Sequence, residues 1–341
     1  MARALVWFRR DLRVKDNPAL KAAIEAGTEI LPVYVYGLKQ KPQLSEGAAS
    51  RWWLHHALED LDGELQGIGG GLHLAMGEDV EQVMYGLVEK YEITSVYWNR
   101  RYEPDAIAMD KSIKKKLRAD GIEVFSFCGN VLNEPHTVVN KTGSPYQVFT
   151  PYWKQCRDIS VAQPMDTDLV NLKTVKSSGI HLEELDLLPK VAWDSGFYRF
   201  WKPTREAGMD LLERFSRGPV GDYGADRDML AVDGTSRLSP YLHFGQIGVR
   251  EIYHKLSGMG EKVMNGYVRQ LYWRDFAYHL IYHFPHSVDR ALRPEYDHFP
   301  WFHDDKQLDR WRRGMTGYPI IDAAMRQLWQ SGWMHNRARM V

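Results

Sequence analysis

Ala4-Leu-Val-Trp-Phe8, running into Arg9-Arg-Asp-Leu-Arg13 and then Asp16-Asn17-Pro18, is the stretch on which the fold turns. Five consecutive apolar residues suit a strand buried on both faces and are too few for a helix. A capping residue followed by proline then opens a helix over 19–26. Strand followed by helix is half of a crossover unit, and the chain repeats it. Positions 30–36 predict a second strand, 48–65 a helix and 71–75 a third strand. Val80, Val83, Met84, Leu87, Val88 and Tyr91 recur at i, i+3, i+4, i+7, i+8 and i+11, one apolar helix face. Strands at 96–98 and 124–127, with a helix at 106–117 between them, complete the set. Five strands joined by helices predict an α/β doubly wound parallel sheet that takes a ligand at the carboxyl ends of its strands.

The obvious ligand, a dinucleotide on a Gly-rich turn, is excluded by Arg9-Arg-Asp-Leu-Arg13, which stands where G-x-G-x-x-G is required. Gly67-Ile-Gly-Gly-Gly71 follows a helix and precedes a strand, the wrong order for cradling phosphate. Composition narrows the class further. The chain has 341 residues, 44 Lys+Arg balanced by 44 Asp+Glu and 44% hydrophobic residues, enough for two domains with cores, so disorder is excluded. With 26% charged residues and no apolar run near the ~20 that a bilayer needs, no membrane span is expected. The paired arginines near the start break any signal-peptide core, and Cys128 and Cys156 alone make neither a thiolate metal cluster nor a disulfide framework. The expectation is a cytoplasmic protein. Twelve Trp, 18 Tyr and 12 Phe suggest stacking on something flat, although a core can absorb many of them.

Domain organisation follows from where periodicity fails. Residues 1–130 form the α/β unit. Pro135, Pro145, Pro151, Pro164, Pro189 and Pro203 interrupt polar sequence, so 131–200 is an inter-domain connection with little secondary structure of its own. From 201 to 341 the pattern is helical, with helices at 206–215, 248–256, 263–282 and 320–329, and a last one at 335–341 that reads as cut off partway.

The helical part carries the chemistry. Gly234-Thr-Ser-Arg-Leu-Ser239, followed by Pro240-Tyr-Leu-His-Phe-Gly245, places three hydroxyls and an arginine at a helix entrance. Such a turn suits either a diphosphate or ordinary capping. Gln270, Trp273, Arg274 and Ala277 fall at i, i+3, i+4 and i+7, a poor core surface and a good one for a flat base with its phosphate. Gly332-Trp-Met-His-Asn-Arg-Ala-Arg339 sets Asn336, Arg337 and Arg339 close together.

With Thr316-Gly-Tyr-Pro-Ile-Ile-Asp-Ala-Ala-Met-Arg326 added, these stretches resemble the photolyase/cryptochrome family from end to end and in family order. Within it they are most similar to bacterial class I enzymes that repair cyclobutane pyrimidine dimers, with roughly the last quarter of a member absent. The resemblance implies a helical domain that holds a bent FAD. Under blue light the reduced cofactor passes an electron to a flipped-out dimer in DNA. It further implies FAD contacts from Tyr223, Thr235, Ser236, Arg237, Leu238, Ser239 and Arg339. DNA contacts are implied for Arg227, Gln270, Trp273, Arg274, Ala277, Asn336 and Arg337. Gln270, Trp273 and Asn336 would be the lesion-facing catalytic set, and Trp301 the surface end of an electron-transfer chain. No metal is implied. Damaged DNA is the expected partner, membranes are not, and a monomer is expected.

Two features qualify this. Dimer-repairing relatives usually carry glutamate where Gln270 stands. An amide can donate a hydrogen bond but cannot relay a proton. A cryptochrome-type FAD photoreceptor without repair activity is therefore the alternative. An antenna chromophore, folate or deazaflavin, is implied beside the N-terminal domain. Glu103 matches a folate-contacting position there, yet a carboxylate before Pro104 equally suits a helix start.

Overall fold

A computed structural model describes residues 2–39, 45–166 and 172–341. In chain order the first elements are β1 (Arg3–Phe8), α1 (Pro18–Glu25), β2 (Glu29–Gly37), α2 (Ala48–Gln66), β3 (His73–Gly77), α3 (Val80–Lys90), β4 (Ser95–Asn99), α4 (Pro104–Ala119) and β5 (Glu123–Phe127). All pairings are parallel, in the order β3-β2-β1-β4-β5. The chain winds outward from β1 in one direction and returns to its other side at β4, which makes the β1/β4 edge the topological switch point. Asn17 caps α1 by accepting from Leu20 N, and Asp79 caps α3. Both crossovers therefore begin where the sequence places a capping side chain.

Strand residues alternate between two cores. Leu5, Trp7, Leu31 and Val33 pack with Met84, Leu87, Ile113 and Leu117 of α3 and α4. Ala4, Val6, Phe8 and Ile30 face α1 and α2, in a core that continues without a break into Leu238, Tyr241, Ile252 and Leu271 of the helical half. Six of the twelve tryptophans, Trp7, Trp52, Trp53, Trp98, Trp153 and Trp201, are buried in these cores, so half of the indole content is packing.

The connecting region holds more structure than its prolines suggest. α5 (Phe149–Cys156) buries Phe149, Tyr152, Trp153 and Cys156 at i, i+3, i+4 and i+7. Pro151 is tolerated because it lies in the first turn. α5 is the α-helix that this connection, expected to hold little secondary structure, contains among the described residues; positions 167–171 of it lie outside them. The remainder is α6 (Arg205–Arg217), α7 (Pro219–Asp226), α8 (Ser239–Phe244), α9 (Val249–Ser257), α10 (Glu261–Val263), a π-helical turn at Met264–Val268, α11 (Arg269–His283), α12 (Asp305–Arg312), α13 (Pro319–Ser331) and α14 (Asn336–Arg339). The helix expected over 263–282 is thus interrupted by the π turn. The last expected helix covers only Asn336–Arg339. Among the described residues no helix is long and apolar enough to cross a membrane.

The loop after β1 locks the sheet to the helices. Arg13 is fully buried and donates to the carbonyls of Asp16 (2.8 Å), Gly129 (2.8 Å) and Gly245 (2.9 Å). Leu12 N donates to Phe244 O at 3.1 Å. Asp16, at φ 51°, pairs with Arg250 at 2.7 Å and accepts from Met165 N. Gly245 closes α8 at φ 71°, and a Cβ there would lie 2.0 Å from Arg10 O, so only glycine fits.

Candidate cofactor and lesion site

Two cavities meet at α8. One, of about 480 Å³, is lined by Ser236, Ser239, His243, Tyr267, Gln270, Arg274, Ala277 and Tyr278, with apolar residues of α8 and α11. The other, of about 330 Å³, is bounded by Trp53, Ser239, His243, Phe244, Trp333 and Arg339, among others. Ser239 and His243 belong to both. α8 has no side-chain cap on its N-terminus, and the exposed Ser239 stands at its first position. Ser236 Oγ and Tyr267 OH lie 2.7 Å apart in a buried contact, which fixes the turn from below. Leu238 is fully buried and anchors it. Arg237 adopts φ 54° and lays its guanidinium 5.2 Å over the Trp333 ring, tying the turn to the second cavity. Thr235 is half-buried beside Gly234, whose missing side chain admits Asp226. Tyr223 packs edge-on against Tyr267 at 5.1 Å, one layer behind the cavity wall.

His243 was not singled out by sequence. Its ring is open to both cavities yet surrounded by protein, and burial together with Arg10, Arg274 and Arg101 holds its pKa down to about 3. The neutral imidazole therefore offers one donor and one acceptor at the junction.

α11 presents Gln270, Arg274 and Ala277 to the larger cavity. Gln270 Nε2 donates to Gly266 O at 3.1 Å, inside the π turn, leaving its Oε1 and second N–H without a described partner. Arg274 donates to Asn130 O and, at 3.4 Å, to Leu242 O, and stacks 5.1 Å over Tyr278. Its guanidinium ties α11 to the end of the sheet domain instead of standing free at the surface. Beside it, Asp275 Oδ2 accepts from Leu132 N (2.8 Å) and Asn133 N (2.9 Å) while Oδ1 has no partner among the described residues. Burial raises the Asp275 pKa to about 7 against the pull of these donors and of Arg274.

Trp273 lies to one side of that cavity lining. It is 45% exposed and stacked on Phe149 of α5, with ring centroids 3.6 Å apart and planes at 12°. Gln270, Arg274 and Ala277 thus share a wall, and Trp273 flanks it.

The remaining basic groups gather elsewhere. Arg337 pairs with Asp228, and Arg227 Nε lies 3.4 Å from the same carboxylate, so α7 and α14 meet at an exposed cluster. Hydrogen bonding from Arg337 holds the Asp228 pKa below its ordinary value. Asn336 is exposed, its amide 3.8 Å from Met340 Sδ. Trp301 is 72% exposed beside Phe299 and borders neither cavity.

A third cavity, of about 490 Å³, opens at the carboxyl ends of β1 and β2, between Trp7, Arg9, Arg10, Tyr34, Tyr36, Glu46, Arg101, Glu103 and Met109. Glu103 is the N-cap residue of α4, but its side chain makes no capping bond. It binds Arg101 (3.0 and 3.2 Å) and Tyr102 N instead. Burial alone would raise its pKa; Arg101 overrides this and holds it down to about 2.

The spacing that grouped Gln270 with Arg274 extends one turn further to Tyr278, a signal present in the sequence and not used. For His243 the only sequence signal is its place within Pro240-Tyr-Leu-His-Phe-Gly245.

Residues 4–169 match the family model for DNA photolyase, and residues 267–341 that for the FAD binding domain of DNA photolyase. The chain is 40% identical to the deoxyribodipyrimidine photo-lyase of Agrobacterium fabrum, covering 100% of this chain and 72% of that protein. It is 32% identical to Cryptochrome-2 of Arabidopsis thaliana, covering 99% of this chain and 58% of the relative. A crystal structure described as a bacterial class III photolyase from Agrobacterium tumefaciens superposes with a TM-score of 0.94 at 40% identity, over 100% of this chain and 71% of that one. An archaeal photolyase from Sulfolobus tokodaii, solved with two FAD molecules, gives 0.79 at 29% identity, over 99% and 73%. With a class III enzyme and a cryptochrome both this similar, the expected class I affinity gives way to the broader statement. The chain belongs to the photolyase/cryptochrome family, whose cofactor is FAD.

Proposed function

We propose that the protein is a light-driven DNA photolyase that splits cyclobutane pyrimidine dimers. The observation that carries this reading is Trp273, a half-exposed indole on the same helix as the cavity-lining Gln270 and Arg274. A flat apolar ring beside a cofactor-sized cavity suits a base taken out of the duplex, where stacking is worth about 1–3 kcal/mol per base.

The residues present fit FAD. Two cavities joined at an uncapped helix start match a ligand with a charged middle and two flat arms, and their volumes fall within the range of about 300–1,000 Å³ usual for such sites. Thr235, Ser236 and Ser239 would take the phosphates, while Arg339, Trp333 and His243 would flank one arm. Bound reduced FAD supplies light-driven transfer of one electron to the dimer and its return after ring opening. The chain's own groups do the rest. Trp273 supports the flipped base. Gln270 donates its second N–H to a dimer carbonyl but cannot relay a proton. Arg227 and Arg337 supply positive charge for the phosphates, and Arg274 holds α11 against the sheet domain. Trp301 would serve as the outer end of a photoreduction route, Asn336 as part of the lesion pocket, and the cavity at the strand ends as the antenna site. The domain division falls at residues 130 and 200.

The test is dark binding and illuminated reversal of a single dimer in a short oligonucleotide by the reduced, flavin-loaded protein. Reversal requiring light and lesion supports the enzyme; flavin binding without reversal supports a cryptochrome-type photoreceptor. Trp273→Ala should weaken lesion binding roughly 5- to 150-fold, from the stacking range above.

A further inference from the structure

The residue that fixes the Trp273 indole comes from the inter-domain connection. We propose that Phe149 is a positioning residue for lesion binding: it backs the indole so that one ring face is held ready for the extruded base. This rests on the photolyase reading above. Phe149 is the first residue of α5 and only 4% exposed, while Trp273, against it, is 45% exposed. The two rings are stacked at 3.6 Å and 12°, Phe276 closes the edge of Trp273 at 5.9 Å, and the Arg269 guanidinium lies 5.3 Å from the centre of the Phe149 ring. An indole free to turn about χ1 and χ2 would lose that freedom when a base stacks on it, a cost that appears directly in affinity. Clamped between Phe149 and Phe276, it has lost it already.

Phe149 is a wall and not a stand-in for the base. A ring occupying the base's place would have to leave on binding, whereas Phe149 is buried on a helix with Tyr152, Trp153 and Cys156 packed beneath it. α5 is held to α11 by Phe149 against Phe276 (5.7 Å), Tyr152 against Phe276 (5.1 Å) and Trp153 against Tyr272 (4.7 Å). The wall therefore moves with the helix that carries Trp273.

The experiment compares flavin-loaded wild type, Phe149→Leu and Phe149→Tyr for dark binding to lesion-containing and undamaged oligonucleotides, and for repair at saturating lesion. Leucine removes the flat face at similar bulk; tyrosine keeps it. We expect Phe149→Leu to bind the lesion about three- to tenfold more weakly. Affinity for undamaged DNA, flavin content and saturated repair rate should stay unchanged, and Phe149→Tyr should match wild type. Phe149→Met gives the same comparison if the leucine variant fails to fold. Wild-type lesion binding by Phe149→Leu would overturn the positioning role alone, as would equal losses with leucine and tyrosine or a parallel loss of undamaged-DNA binding. A wild type that does not prefer the lesion would overturn it together with the photolyase reading.

Discussion

Replacing Arg13 with Met tests whether the loop after β1 seats α8. The guanidinium makes four hydrogen bonds, to Asp16 O through Nε and Nη2 and to Gly129 O and Gly245 O, all between 2.8 and 3.2 Å. Burial lowers its pKa, opposed by Asp16, Glu251 and Asp11, so the charge is kept by its surroundings. Methionine keeps much of the volume and no donor. Three carbonyls lose their partner, at about 1–3 kcal/mol for each that stays buried and unpaired. Removing a buried cation returns part of this as relieved desolvation, and Asp16 retains Arg250. The net loss should be about 3–5 kcal/mol, the range for breaking a buried ionic contact. The assay is urea unfolding followed by tryptophan fluorescence, with bound flavin measured after gel filtration. Since Gly245 ends α8, flavin retention should fall along with the midpoint. A loss below about 1 kcal/mol with normal flavin content would refute the claim that this side chain joins the two halves.

Gly245→Ala should be at least as damaging, because its Cβ would sit 2.0 Å from Arg10 O in a left-handed conformation; a thermal midpoint within about 2 °C of wild type would contradict the close approach. Asp275 should make stability depend on pH. Its folded pKa, about 7, lies above its ordinary 3.8, so the carboxylate form is disfavoured by folding and this contribution declines as pH rises from about 4 through 7. Asp275→Asn can keep both backbone bonds through Oδ1 and should flatten that slope between pH 5.5 and 8 in thermal melts; an unchanged slope would assign it to another group. Gln270→Glu should raise the quantum yield of dimer repair, read from single-turnover flash experiments, because a protonated carboxyl can donate and relay where the amide only donates. An equal or lower yield would sink the role given to position 270.

The sheet was legible because each strand is a short, nearly continuous apolar run and each crossover carries its own periodicity or cap, as Asp79 does ahead of Val80. α5 was not, although Phe149, Tyr152, Trp153 and Cys156 form a helical stripe, because Pro145 and Pro151 signal a loop more strongly than four residues signal a helix. α12 was also missed, since Asp305–Arg312 buries nothing and so has no apolar face to read. At the site, spacing placed Gln270, Arg274 and Ala277 on one wall. It could not show that Trp273 leans on a ring more than a hundred residues earlier, or that Arg274 is occupied by the carbonyls of Asn130 and Leu242. Backbone acceptors carry no residue identity, and so leave no trace in a pattern of side chains.

The π turn at Met264–Val268 sets the angular phase of everything after it. It holds one residue more than an α-helical turn, which rotates the following helix by about 100° relative to an uninterrupted one. Deleting a single residue there would leave α11 intact in length and composition and swing Gln270 and Arg274 off the cavity wall. Descendants of this chain could therefore lose the use of the pocket through a one-codon deletion while every residue quoted for it remained in place.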